Sequence, residues 1–332
     1  MTMPSTIRVA TWNLWWKHGP WEQRQAALAS SLASLGADVV GLQEVSFLDP
    51  DQPAWLLEHL GGHVVVAPRP DGQVDTPSPA PSPPAASPPP SDPIGGDGDR
   101  DDGRGGADAG AGDSSGDAAS GAAVETAAAD EGAVPGVARV MGNAIWSRWP
   151  IVESEWCWLD VGDAPRHRTV LWARLAAAFG PVDVFTTHLS HGFHQSGLRR
   201  RQIAEVVAFI AERRGPVDRF PPVLVGDLNA VPESDEIRSL VGLTEPPVDG
   251  LIFSDTWSQV GLGPGATWSS GNPYVVDSAW PERRLDYVMV GWPRARPAGN
   301  PVRARLFGVE PHDGVVPSDH YGVAVDLVEA PH

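Results

Sequence analysis

Cysteine is nearly absent. Cys157 is the single one in 332 residues, so no disulfide can form within the chain and Cys-rich zinc sites are excluded. Long apolar runs are missing as well. None approaches the roughly 18–20 residues that span a bilayer, so no membrane insertion is expected. Met1–Thr6 has neither a charged n-region nor an apolar h-region, so no signal peptide is visible and the expected location is cytoplasmic. Basic side chains are scarce: 24 Lys and Arg stand against 42 Asp and Glu, a formal net charge of −18. No strongly basic face is implied, which counts against tight, sequence-independent DNA binding through phosphate neutralisation. There is no internal repeat, and nothing implies an obligate protein partner.

Aromatic side chains are missing from one stretch only. Residues 70–138 contain 11 Pro, 13 Gly, 13 acidic and 2 basic residues and no aromatic one, while all 14 Trp lie outside it. Such a segment cannot bury enough apolar surface to offset its ordering entropy, and it reads as a disordered, low-complexity insert. What remains, about 260 residues, sits at the upper end of the single-domain range. The expectation is one domain over residues 6–328, interrupted by the 70–138 insert.

Several elements are legible. Ile7–Trp12 alternates and is β-branched, as a strand does. Trp21–Leu35 carries Ala27, Leu28, Leu32 and Leu35 at helical spacing with Gly36 as a stop. Val39–Leu42 is a short strand ending in the polar pair Gln43-Glu44. Pro53–Leu60 reads as a short helix closed by Gly61-Gly62, and His63–Ala67 as another strand. Beyond the insert, structure resumes at Ala138–Met141 and continues in Asn143–Arg148, Thr169–Leu175, Val182–Thr187, Val223–Gly226, Leu285–Val290 and Val323–Leu327. Ser196–Arg213 is a helix with Ile203, Val206, Val207 and Ile210 on one face and Ser196 placed to cap it. Many strands with few helices between them argue against a doubly wound parallel sheet and for a sheet-on-sheet core with helices outside.

Polar residues stand at strand ends where a plain core would not put them: Trp12-Asn13, Gln43-Glu44, Thr187-His188, Gly226-Asp227-Leu228-Asn229 and Ser318-Asp319-His320. Arg284-Leu285-Asp286-Tyr287 adds an acid within an apolar strand. Carboxylate and amide oxygens are hard ligands suited to Mg²⁺ or Mn²⁺, and imidazoles hold or protonate a phosphoryl oxygen. A divalent ion with a carboxylate or imidazole to orient water amounts to a toolkit for phosphoester hydrolysis. Singly, each residue has a plainer reading. Asn13 caps a turn, Glu44 faces solvent, Asp227 and Asn229 form an Asx turn, Asp286 pairs with Arg283 or Arg284, and the two His are structural.

Taken in order, Ala10–Leu14, Leu42–Val45, Thr187–Leu189, Gly226–Asn229, Arg284–Tyr287 and Ser318–His320 resemble the endonuclease/exonuclease/phosphatase superfamily, the group of deoxyribonuclease I, exonuclease III and the neutral sphingomyelinases. The resemblance implies an α/β fold, a four-layer α-β-β-α sandwich of two mainly antiparallel sheets flanked by helices. It further implies Glu44 as principal metal ligand, Asn13 as holding or supporting the metal beside it and Asp319 as a further metal or water ligand, the ion being Mg²⁺ or Mn²⁺. Asp227 would orient the attacking water and Asn229 would donate to the phosphoryl oxygens. His188 would contact phosphate or leaving group. His320 would act as base or transition-state stabiliser, oriented by Asp286, with Asp319 the other possible partner.

The implied activity is metal-dependent hydrolysis of a phosphoester, nuclease-type phosphodiester cleavage first, with nucleic acid among the candidate substrates. The alternatives are a phosphomonoesterase acting on a small metabolite or lipid headgroup and a non-catalytic phosphate-binding relative. Abasic-site repair fits poorly, because Leu42-Gln43-Glu44-Val45 lacks the Lys that this branch carries after the Glu, and His188 stands where it has Tyr. Outside the motifs, Asn143 is expected to border the site. A zinc site at His188, His191 and His194 is disfavoured, Arg199-Arg200-Arg201 is expected to be mainly solvated, and Trp15, Trp16 and Trp268 are candidates to line a pocket.

Overall fold

The computed structural model describes residues 5–48, 51–68, 141–164 and 167–329. The insert expected at 70–138 lies outside these residues.

The alternating apolar residues of Ile7–Trp12 do form a strand, β1 (Thr6–Asn13), and it becomes central to a six-stranded sheet. Its neighbours are β2 (Val39–Ser46), parallel to it, and β12 (Gly322–Val328), antiparallel to it. β3 (His63–Ala67), β4 (Met141–Ser147) and β11 (Pro301–Phe307) complete the order β11-β12-β1-β2-β4-β3. The second sheet runs β5-β6-β7-β8-β10-β9. Its strands are β5 (Ile151–Trp158), β6 (Thr169–Ala177), β7 (Gly180–His188), β8 (Val223–Asp227), β9 (Ile252–Asp255) and β10 (Asp286–Trp292). Only β7 and β8 run parallel within it.

Inward-facing residues of both sheets share one core: Ile7, Val9, Val39, Val323 and Val325 from the first meet Leu171, Val184, Val223, Val225 and Val288 from the second. The approach is close at Gly41, where an added Cβ would fall 2.3 Å from a Val225 methyl. On the outer faces lie α1 (Trp21–Leu35) and α3 (Ser196–Arg213). α1 sets Leu28, Leu32 and Leu35 against Ala10, Val40 and Leu42. α3 sets Ile203, Val206, Val207 and Ile210 against Phe185, Leu224 and Met289. Each such buried aliphatic side chain contributes about 1.5–3 kcal/mol relative to exposure. Helix, sheet, sheet and helix give the four-layer sandwich, and four of the five strand pairings in each sheet are antiparallel. Shorter helices α2 (Gln52–Leu60), α4 (Asp235–Leu240) and α5 (Thr256–Val260) fill the connections. No helix among the described residues is long and apolar enough to cross a membrane.

Two local expectations are corrected. β2 does not end at Gln43-Glu44 but continues to Ser46, its register with β4 shifting between Leu42 and Val45. Glu44 sits at that bulge with φ of 53°, a left-handed conformation. Ser196 is not the cap of α3. Gln195 occupies that position without a side-chain capping hydrogen bond, and the Ser196 hydroxyl donates to Glu236 at 2.7 Å instead.

Candidate active site

Sheet register brings the polar residues together. In the second sheet Asp227, the last residue of β8, is paired with His188 of β7 on one side and Asp286 of β10 on the other. Directly paired residues project from the same face, so three strands deliver three ionisable groups to one spot. Gly226 makes this approach possible: at φ of 150°, any side chain there would lie 2.1 Å from the Thr187 carbonyl oxygen. In the first sheet Asn13, at the end of β1, pairs with Gln43, next to Glu44.

Asn13 joins the two sheets. Its Nδ2 donates to Glu44 Oε1 at 3.0 Å and to Asp227 Oδ2 at 3.1 Å, while its Oδ1 accepts from the Trp15 N–H at 2.9 Å. With both ends of the amide engaged, Asn13 orients Glu44 and Asp227. Ser318 Oγ donates to the Asn13 carbonyl at 2.7 Å and thereby ties the Ser318–His320 loop to the same corner.

Asp227 lies between two imidazoles, with Oδ2 at 3.6 Å from His188 Nε2 and 3.8 Å from His320 Nε2. Its Oδ1 accepts the Asn229 N–H at 2.9 Å. The Asx turn read as a plain alternative is therefore present, and it shapes the site. Asn229 takes a left-handed φ of 48° and donates from Nδ2 to the Leu189 carbonyl at 3.0 Å. His320 Nδ1 lies 2.8 Å from Asp286 Oδ2, so Asp286, not Asp319, is its partner. Asp286 does not pair with Arg284, whose guanidinium binds Asp255 through two hydrogen bonds.

The environments separate the ionisable groups. Burial, with Asp286 adding to it, pushes the Asp227 carboxyl up to about 6. Burial pushes Asp319 up to about 7, helped by Glu44 and opposed by His320 and Arg24. Burial works against a charged His320, but the Asp286 and Asp227 carboxylates outweigh it and hold the imidazole well above its ordinary value. His188 goes the other way: burial, then the Arg168 charge, keep it well below.

Two residues that carry no motif turn out to organise the site. Arg168 donates from Nη1 to His188 Nδ1 at 2.9 Å and from Nη2 to His191 Nδ1 at 3.3 Å. A guanidinium on both nitrogens also leaves no room there for a zinc ion shared by His188 and His191. Arg24, fully buried and lowered by that burial to about 10, donates to the carbonyls of Leu14, Trp15, Trp16, His18 and Pro317. It locks the loop after β1 against the loop that carries Asp319. Neither contact has a sequence spacing that announces it.

Other expectations resolve plainly. Asn143 donates to the Thr169 carbonyl and hydroxyl. Arg199 is not solvated; it is buried against Glu236 at 2.6 Å, whereas Arg201 is exposed and pairs with Asp160. Trp268 packs edge-on against His320 at 5.1 Å between ring centres.

The donor set fits a hard cation. Four carboxylates, Glu44, Asp227, Asp286 and Asp319, converge, Asp319 is raised by burial with Glu44 and Asp227 adding to it, and Asp286 Oδ1 is buried without a hydrogen-bond partner. Asp227, Asp286 and His320 offer ligand atoms within 4.8 Å of one another. Oxygen-rich, negatively charged surroundings of this kind suit Mg²⁺ or Mn²⁺.

No curated protein matches this chain. Among solved structures it resembles D. rerio TDP2 complexed with single strand DNA product, with a TM-score of 0.62 and 19% identity over 97% of this chain and 99% of that one. An endonuclease/exonuclease/phosphatase family protein from Bacteroides thetaiotaomicron gives 0.63 and 18% over 99% and 100%. The endonuclease/exonuclease/phosphatase from Bacteroides vulgatus gives 0.61 and 16% over 97% and 98%. At these identities the likeness is one of fold. The model of the Endonuclease/Exonuclease/phosphatase family matches residues 10–320, nearly the whole chain, and the protein belongs to that family.

Proposed function

We propose that the chain is a divalent-metal-dependent phosphoric ester hydrolase, acting as a phosphodiesterase of nuclease type, carried by one domain over residues 6–328. The observation that carries this reading is the placement of Asp227 between the Nε2 atoms of His188 and His320, at 3.6 and 3.8 Å. A carboxylate titrating near 6 is suited to orient water and accept its proton near neutral pH. His320, kept protonated by Asp286, faces the negative charge that builds on phosphorus-bound oxygen. His188 and Asn229 donate to the same oxygens. Glu44 and Asp319 are the residues to hold Mg²⁺ or Mn²⁺, with Asn13 keeping Glu44 in place. That ion, when bound, neutralises phosphate charge and polarises the P–O bond.

The single strand DNA product bound by the D. rerio TDP2 structure supports a nucleic-acid substrate here. The acidic balance, with Lys17 the sole lysine, favours short or single-stranded substrates over a long duplex. The test is turnover on plasmid DNA, single-stranded oligonucleotides and a phosphomonoester panel, each with Mg²⁺, Mn²⁺ or EDTA. Metal-dependent, EDTA-sensitive cleavage of the oligonucleotide is expected. Absence of EDTA-sensitive turnover on every substrate would overturn the proposal.

A further inference from the structure

Two large aromatic side chains stand exposed near the candidate active site. Phe193 is 55% and Trp280 62% accessible, yet their rings pack edge to face, with centres 5.1 Å apart. The Arg283 guanidinium lies 4.8 Å from the centre of the Phe193 ring. The group is continuous with the site. Trp268, edge-on to His320, donates from Nε1 to Ser278 Oγ at 3.1 Å, and that hydroxyl oxygen also accepts the Trp280 N–H. Arg283 and Trp268 exchange both backbone hydrogen bonds.

The backbone under Phe193 is held still. Arg199, anchored by Glu236, donates to the Ser190 and Gly192 carbonyls, and the Gln195 side chain accepts the Gly192 N–H. Apolar surface left in water on a braced support, beside a polar site, marks a place for a flat apolar ligand. A positive charge over the Phe193 ring favours one with an extended π-system.

Resting on the phosphoester reading above, we infer that Phe193, Trp280 and Arg283 form a shelf on which the heteroaromatic base of a nucleotide stacks while its phosphate occupies the cleft. The charge balance argues for this occupant. With so few basic residues, recognition along a phosphate backbone is weak, and stacking on aromatic faces is the available alternative. Base selectivity would be low, because every base offers a π-face.

The shelf is tested by titrating the full chain, in EDTA to stop turnover, with adenosine 5′-monophosphate, ribose 5-phosphate and adenosine. The monophosphate should bind at least about tenfold more tightly than ribose 5-phosphate, the scale of one stacked base. Phe193→Ala or Trp280→Ala should remove most of that advantage, and Trp280→Phe should keep it. Equal affinities for the two phosphates, an advantage that survives both alanine substitutions, or no binding of either adenine compound would overturn the shelf. Adenosine binding as tightly as its monophosphate, lost in Trp280→Ala, would uphold the shelf while removing support from the phosphate site.

Discussion

Arg168 donates to Nδ1 of His188 at 2.9 Å. A guanidinium has no acceptor, so His188 Nδ1 carries the lone pair and the ring proton sits on Nε2, the nitrogen that faces Asp227. His320 is held the opposite way, its Nδ1 against the Asp286 carboxylate. One imidazole is kept neutral and the other charged, on two sides of one carboxylate.

Replacing Arg168 by Met should release the His188 tautomer. Loss of an orienting partner of this kind typically costs about 10- to 100-fold in activity, and kcat should carry most of it. Ring ¹⁵N NMR of the wild-type protein should show His188 protonated at Nε2 only, with a mixture in the variant. A wild-type His188 protonated at Nδ1 would contradict the arrangement.

Asp286→Asn removes the charge that raises His320. If rate depends on protonated His320, the alkaline limb of the pH–rate profile is set by its deprotonation, and the substitution moves that limb to lower pH. His320→Ala and Asp227→Ala should each lower kcat by about 10³ or more with the circular dichroism spectrum unchanged. Near-normal turnover in His320→Ala would discard the assignment.

How much of this was legible from the residues alone depends on what each contact needed. Glu44, Asp227 and His320 announce themselves because short motifs at strand ends carry them. The Leu42/Val45 bulge that turns Glu44 was hidden, since a bulge depends on pairing with β4, far along the chain. β5 was missed because an edge strand facing water, Val152-Glu153-Ser154-Glu155, lacks clean alternation. Arg168 and Arg24 act through single contacts with no periodicity. The aromatic rim of Phe193 and Trp280 joins residues nearly ninety positions apart.

Without metal, the site opposes its own ionisation. Asp319, at about 7 against an ordinary 3.8, holds a proton in the folded chain that the unfolded chain has released. Stability from this group is therefore lost as pH rises from about 4 to about 7. His320 acts in the same sense above 6.5, where the unfolded imidazole has lost its proton. His188 opposes both, but only below 6.5. In EDTA, Tm should therefore fall as pH rises above about 6.5. Asp319→Asn should flatten the slope below about pH 7, and a slope there unchanged by this substitution would speak against the buried acid.

Glu44→Gln should raise the Mg²⁺ concentration that gives half-maximal rate by about tenfold or more, with the loss recovered in part at saturating metal. Asn13→Ala should act in the same direction through the freed Glu44. Metal titration of rate, together with direct Mn²⁺ binding by calorimetry, distinguishes this from loss of the chemical step. An unchanged metal requirement in Glu44→Gln would exclude it as a ligand.

The single amide of Asn13 reaches one carboxylate on each sheet. A hinge so placed makes occupancy of the cleft and cohesion of the whole body one thermodynamic problem. Any cation or phosphate that favours the assembled corner should raise the melting point by mass action, and turnover should be lost on heating before the helical circular dichroism signal.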